Sequence, residues 1–253
     1  MNRNPRITCL LCVLLLFDLL YVQKADAQSG TAGVTDSSFH DRLLTQAIQV
    51  YTRSPAARDR LYNGTLYPGY DRNGQGFPFF LSDTLLTGSV EYDGIFYPEV
   101  PLSYDIVIDM VIMPDARRTF QFQLIAEKLR YFDVAQHHFL YLAPDSNAIR
   151  APTAGFYEEL YHGKATALAR HIKKVQSIGR ADENLFRYRQ YDYYFLEVKG
   201  RYYPIHSEGD LLDAFGTDRN RVRDFIKKSR LRFKRDPEST LIKTTEYYSQ
   251  TNN

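Results

Sequence analysis

Apolar and polar positions alternate along most of the chain between Leu61 and His206, and this period of two predicts antiparallel strands with one face toward a core. The centre of the pattern is Gly88–Met113, which reads as three consecutive strands. Asp93-Gly94 stands between two alternating segments, the signature of a two-residue turn whose central residues both need positive φ. Pro101 marks a second corner, after which Tyr104, Ile106, Ile108, Met110 and Ile112 share one face. Thr119–Ile125 alternates as well. Further hairpins are expected over 128–142, 155–175 and 188–206, with loops at 143–152 and 179–184.

One short phrase recurs: Leu61–Pro68, Glu91–Pro98 and Glu197–Pro204 each carry a Gly between two β-prone runs and end on Tyr-Pro, and Leu160–Lys164 is a looser copy. Repeated hairpin chemistry accounts for this, because Gly turns and Tyr-rich strands follow from backbone sterics. The irregular spacing of the copies argues against a propeller or solenoid.

Helical periodicity is confined to the two ends. Over Asp36–Tyr51, Phe39, Leu43, Ala47 and Val50 share a face, Ser38 with Asp41 resembles a capping box, and Ser54-Pro55 ends the helix. After His206 the character changes. Ser207 with Asp210 caps a short helix stopped by Gly216, Thr217 caps a second, and Asp236-Pro237-Glu238 opens a third with the polarity that a helix dipole favours. The expected fold is therefore α+β, with strands and helices segregated: a mainly antiparallel, strongly curved sheet (a half-barrel or a sandwich of hairpins) with one N-terminal helix and a C-terminal helical segment. Residues 36–206 form the first part of this arrangement and 207–253 pack on it.

The first 27 residues read as an export signal rather than as fold. Arg3 and Arg6 precede an apolar run from Ile7 to Val22, and Ala25-Asp26-Ala27 places cleavage between Ala27 and Gln28. Residues 28–35 are a flexible linker. Both cysteines, Cys9 and Cys12, fall inside this leader, so the mature chain is cysteine-free and has no disulfide, thiol nucleophile or thiolate metal site. No membrane span is expected in the mature chain. It carries 29 basic against 28 acidic residues, a balance that points to no partner by itself. Export also disfavours nucleic acid.

The motifs that carry common chemistries are missing. There is no HExxH, G-x-S-x-G, P-loop or G-x-G-x-x-G, and no cofactor is expected. The six histidines read as surface or edge residues. His137 and His138 are adjacent, so on a strand they point to opposite faces and cannot share an ion. Asp105 and Asp109 share the face opposite Ile106, Ile108 and Met110; on a continuous strand they stand about 13 Å apart, too far for a shared-proton pair, which implies a wet sheet face. Asp71, Asn73 and Gln75 supply oxygens at the first alternate positions of a calcium loop, with Gly76 next. Ser82 stands where such a loop needs its bidentate Glu, so an Asx/Gly turn is the simpler reading. Tyr191, Tyr193 and Phe195 share a strand face and could offer a stacking platform for sugars, although the chain has no tryptophan.

The densest charge feature is Arg219–Arg235. Arg219, Arg223, Lys227, Lys228 and Arg230 are its candidate contacts to anionic lipid headgroups or an acidic partner.

Gly76-Phe-Pro-Phe-Phe80, Tyr92-Asp-Gly with Tyr97, Val100-x-Leu-x-Tyr-Asp105, Gly155–Lys164 and the basic segment ending in Tyr247-Tyr248 together resemble uncharacterised exported proteins of Bacteroidota-type cell envelopes. That family has no known activity, so the resemblance implies an exported location, in the periplasm, at the outer membrane or secreted, and no catalytic residue. It also implies that Asp83-Thr84-Leu85 is an O-glycosylation site at Thr84. The expected function is a non-enzymatic binding or interaction module, with an apolar ligand held by the curved sheet or an anionic envelope surface as partner. The alternatives are an envelope glycan or lipid hydrolase and an outer-membrane β-barrel.

Overall fold

The computed structural model describes residues 60–70, 74–143, 152–178 and 185–251, all within the unit that begins at Gln46. The expected helix over 36–51, the cleavage site Ala27/Gln28, and Asp71 and Asn73 lie outside the described residues.

Among the described residues twelve strands form one curved, unclosed sheet. They are β1 (Gly64–Leu66), β2 (Gly74–Gln75), β3 (Leu86–Tyr92), β4 (Ile95–Asp105), β5 (Met110–Pro114), β6 (Gln121–Leu124), β7 (Leu129–Val134), β8 (His137–Leu142), β9 (Gly155–Tyr161), β10 (Ala165–Ser177), β11 (Phe186–Val198) and β12 (Arg201–Ile205). Their order is β1-β6-β5-β4-β3-β7-β8-β9-β10-β11-β12, antiparallel throughout, with β2 added in parallel at the start of β11. Three helices follow: α1 (Glu208–Ala214), α2 (Arg219–Lys228) and α3 (Pro237–Thr251). Segregated strands and helices make the fold α+β.

The hairpin signals resolve unequally. Asp93-Gly94 joins β3 to β4 with φ of 52° and 76°, and Lys199-Gly200 joins β11 to β12 with the same two values. The other copies of the phrase do different work. Gly64 enters β1, whose partner is the distant β6, and an added Cβ would lie 2.3 Å from the Gln123 carbonyl oxygen. Gly163 lies between β9 and β10 where Ser249 of α3 packs, 2.7 Å from where a Cβ would stand. Conversely, Ala135-Gln136 turns β7 into β8 at φ of 49° and 70° without a glycine.

Pro101 is not a corner. It lies inside β4 opposite Thr87 of β3. β4 pairs with β5 only through Ser103–Asp105, so the second edge of the strand has no ladder to lose at Pro101. The bend comes earlier, where Pro98 and Glu99 bulge between the pairs Val90–Tyr97 and Gly88–Val100, with Glu99 at φ 53°. The helix starts also differ in part. Ser207 caps α1 as expected, accepting from the Asp210 amide, and Asp236 accepts from the Ser239 amide at the start of α3. Thr217 does not cap α2; it sits in a 3-10 turn over Gly216–Asp218 that leads directly into the helix.

Two buried clusters result. The larger is aromatic and joins β3–β9: Phe132 stacks on Phe139 at 4.8 Å between ring centres, and the Tyr104 ring meets Phe132, Phe139 and Phe156 at 5.1, 5.1 and 5.9 Å. Edge-to-face and offset pairs of this kind add about 0.5–1.5 kcal/mol each beyond their burial. These rings fill the part of the sheet between β4 and β9. The smaller cluster packs α1, α2 and α3 onto β10–β12 through Ala165, Ala167, Leu196, Leu211, Val222, Ile226 and Leu241. The alanines of β10 let the helices approach closely.

Left-handed backbone costs a residue with a Cβ about 1 kcal/mol that glycine avoids. Gln136→Gly is therefore expected to raise the free energy of unfolding by about 0.5–1 kcal/mol, read from urea denaturation midpoints. A loss of stability would show that the Gln136 side chain contributes more than its backbone strain removes.

Candidate functional site

The segment expected to run as one strand through Tyr104–Ile112 instead turns sharply between Asp105 and Met110. Asp105 makes the turn. Its carboxylate is fully buried and accepts from the Val107 and Ile108 amides at 2.9 and 3.3 Å and from the Tyr67 hydroxyl at 2.7 Å. Asp109 stands at φ 59° and accepts from the Tyr104 hydroxyl at 2.6 Å and from the Arg170 guanidinium at 3.0 Å. Burial, and then the Asp109 charge, push the Tyr104 hydroxyl well above the usual phenol range. The expectation of a wet face carrying two separated carboxylates is thus corrected. A tight turn replaces the extended strand because the first carboxylate satisfies two turn amides itself, in the manner of an Asx turn.

A second constellation crosses four neighbouring strands. His137 of β8, Glu158 of β9, His171 of β10 and Asp192 of β11 form a row. Glu158 accepts from His171 Nε2 at 2.7 Å and meets His137 Nδ1 at 2.5 Å, while His171 Nδ1 meets Asp192 at 2.6 Å. His171 is only 6% exposed, so the expectation of surface or edge histidines fails here. Both of its ring nitrogens face carboxylate acceptors, which requires the imidazolium. Burial by itself would lower its pKa; the hydrogen bonds to Asp192 and Glu158 outweigh that and raise it to about 9. Glu158 is held low because its bonds to His171 and His137 exceed the cost of burial, and Asp192 is lowered chiefly by its bond to His171. Glu238, at the start of α3, is raised by burial and by the Glu158 charge.

The ring of Phe80 lies tilted at 4.9 Å over His171 and edge-on at 5.0 Å to His137. With both nitrogens of His171 engaged, the ring has no lone pair to act as a base. The row ties strands together. A signal for it existed in the sequence: Ala165, Ala167, Ala169 and His171 occupy one buried face at period two. His138, as expected, points the other way, to Asp133 at 2.6 Å.

Two of the surface clefts among the described residues are large enough to hold a small molecule. The first, of about 640 Å³, is walled by Tyr67, Tyr70, Phe77, Phe79 and Tyr188, with Gln121, Ser103 and Asp83 as polar lining. Tyr70 meets Tyr188 edge-on at 5.7 Å and Tyr67 at 6.3 Å. Lys173 secures this wall: its ammonium donates to the Phe79 carbonyl at 2.5 Å and stands 4.2 Å from the Phe77 ring centre, and burial lowers its pKa. The second cleft, of about 750 Å³, lies between the start of α1 and the segment before α3, lined by His206, Leu231, Phe233 and Pro237 with Arg232 and Lys234.

The remaining candidates scatter. Gln75 of β2 accepts from the Arg187 guanidinium at 2.9 and 3.1 Å. Thr84 is exposed and its hydroxyl lies 2.9 Å from that of Ser82. Tyr191 has the cations of Lys174 and Arg189 within 5.5 and 5.3 Å of its ring centre. Along the basic stretch, Arg219 pairs with Asp213 and Arg223 donates to the Asn220 side chain at 3.2 Å. Lys227, Lys228 and Arg230 are exposed and form no salt bridge among the described residues. No group of three or more His, Cys, Asp or Glu side chains placed to hold a metal occurs among the described residues, and no helix among them is long and apolar enough to cross a membrane.

Comparison with protein-family models, with curated proteins and with solved structures finds no match in any of the three.

The His171 row sets a pH dependence. Its folded pKa of about 9 lies above the ordinary 6.5, so its contribution is complete below pH 6.5 and is lost as pH rises through 9. The difference corresponds to at most about 3 kcal/mol. Urea unfolding is expected to show stability falling by about 2–3 kcal/mol between pH 6 and pH 9.5, and His171→Gln to flatten that slope. An unchanged slope in the variant would assign the dependence to other groups.

Proposed function

We propose that this chain is an exported binding module of the cell envelope, without enzymatic activity, that attaches to anionic acyl-bearing surfaces through its C-terminal helical segment. The observation that carries this reading is the segment from Lys227 to Arg235. The inward side of α2 is anchored by Val222 and Ile226, and Phe233 is buried just beyond it. Lys227, Lys228, Arg230, Arg232, Lys234 and Arg235 are all exposed along the same stretch. Six cations with no salt bridge among the described residues are costly to hold together and gain from meeting a negative surface. The apolar cleft beside them, with Leu231, Phe233 and Pro237 in its wall, has room for part of an acyl chain while Arg232 and Lys234 stand at a phosphate or carboxylate headgroup.

Arg219 and Arg223 have intramolecular partners, which favours 227–235 over the whole of α2 as the docking face. The likeness of the sequence to exported envelope proteins supports the location, and the aromatic filling of the sheet between β4 and β9 favours the C-terminal cleft over the sheet interior as the seat of the apolar ligand.

Each Lys or Arg close to an anionic membrane contributes about 1 kcal/mol. The full chain is expected to sediment with vesicles containing phosphatidylglycerol and not with pure phosphatidylcholine, and to be released by salt. The triple variant Lys227→Glu, Lys228→Glu, Arg230→Glu is expected to bind on the order of a hundredfold more weakly, with an unchanged melting midpoint because all three side chains are exposed. Equal binding of the variant, or no binding of the native chain, would overturn the reading.

A further inference from the structure

We propose that the cleft between the start of α1 and the segment before α3 seats a zwitterionic phospholipid headgroup of the phosphatidylethanolamine class, a primary ammonium joined to a phosphate. This rests on reading the basic segment 227–235 as a face that docks on acyl-bearing surfaces, and it names the lipid that the adjoining cleft selects. The cleft holds about 750 Å³, within the ~300–1,000 Å³ range of small-molecule sites. Its walls are runs of described residues, His206–Gly209 on one side and Leu231–Lys234 with Pro237 on the other.

Charge is divided between the two walls. Glu208 stands on the α1 side, and Arg232 and Lys234 stand on the other. None of these three side chains has a hydrogen bond or salt bridge among the described residues. The polar groups next to them are spent. Ser207 and Asp210 bond each other and close the cap of α1 at 2.9 and 3.2 Å, and Asp210 also accepts from the His206 amide at 3.0 Å. Asp236 accepts from the Ser239 amide. An acid in the first turn of a helix suits its dipole, but Asp210 already supplies that charge. An acid in a cleft bordered by cations also repels the surface that those cations attract.

A ligand of both signs removes this conflict. A purely anionic group in the cleft meets Glu208, and a purely cationic one meets Arg232 and Lys234. An ammonium on the α1 side and a phosphate on the other satisfy all three charges, with Leu231, Phe233 and Pro237 left for the first part of an acyl chain. The ammonium must be one that donates. The Glu208 carboxylate accepts from N–H groups, whereas a quaternary ammonium has none to give and relies on aromatic faces. The rings in the wall are His206 and Phe233, and Phe233 is 7% exposed, so the wall forms no aromatic cage. The cationic wall is held by its backbone: the Leu231 amide bonds the Ile226 carbonyl, and the Arg235 and Asp236 amides both bond the Arg232 carbonyl, each at 3.0 Å. A fixed wall loses little freedom when a headgroup arrives.

The test is calorimetry on the full chain with monomeric dihexanoylphosphatidylethanolamine, dihexanoylphosphatidylcholine and dihexanoylphosphatidylglycerol, and with free phosphoethanolamine. The ethanolamine lipid is expected to bind about tenfold more tightly than the other two lipids and than the free headgroup. Glu208→Gln is expected to erase that preference while leaving binding to phosphatidylglycerol vesicles no weaker. Arg232→Gln combined with Lys234→Gln is expected to weaken all three lipids by about tenfold. Equal binding of the ethanolamine and choline lipids, a preference that survives Glu208→Gln, or undiminished binding by the double variant would overturn the proposal. Free phosphoethanolamine binding as tightly as the lipid would overturn the lipid as its source. Vesicles containing phosphatidylglycerol read the basic face separately: their binding without an ethanolamine preference removes this inference alone, and a preference without vesicle binding removes the docking reading.

Discussion

A carboxylate buried without solvent must find hydrogen-bond donors, and Asp105 is the place where this structure depends on that constraint. Its oxygens take the two amides of the turn that would otherwise be unpaired and the hydroxyl of Tyr67. Around it the backbone is stitched from three distant parts of the chain: the Ile106 amide reaches the Pro78 carbonyl, the Phe80 amide reaches Tyr104, and the Lys173 amide reaches the Ile106 carbonyl. One turn therefore joins the 67–80 segment, the central strands and β10. Replacing the carboxylate would strand buried donors, a loss of the kind that costs several times the net value of a surface hydrogen bond.

Asp109, at the far end of the same turn, extends the connection to Arg170 and the Phe156 amide. The approach is close enough that a Cβ on Gly155 would lie 2.2 Å from the Asp109 carboxylate. Gly155 also adopts φ 145°, a backbone that other residues rarely reach. The polar row of His137, Glu158, His171 and Asp192 then ties β8 to β11 across the sheet. Its polarity is compatible with the adjacent aromatic core because every buried heteroatom in the row meets an opposite partner, and Phe80 covers it from the apolar side. Stability is also reduced in acid, where Glu158 and Asp192, both held low in the fold, must take up protons.

These constraints leave two exposed sites with opposite character. The cleft by Tyr67 is walled by aromatic rings, one of them bonded to the buried Asp105 carboxylate. The edge at 227–235 is strongly cationic and borders an apolar cleft. The doubly bonded His171 is consistent with a histidine that holds neighbouring strands together.

The sequence by itself determined the class of fold, because alternation at period two marks strands wherever one face is buried. It also placed the Asp93-Gly94 and Lys199-Gly200 turns, where glycine chemistry leaves few choices, and the caps at Ser207 and Asp236. It could not place Asn63-Gly64, since the same dipeptide there serves a close approach between β1 and a strand some sixty residues away. Nor could it show that Asp105 turns inward: an acid amid isoleucines reads as a wet face until Tyr67 and the turn amides are known to converge on it. His171 is the same case. Only the tertiary structure decides which carboxylates stand beside a given residue, because strand register brings Glu158 and Asp192 to it from positions whose separation along the chain carries no periodic signal. The cleft and the unpaired part of the basic stretch are tertiary for the same reason: local pattern sets the faces of an element, and long-range packing decides what each face meets.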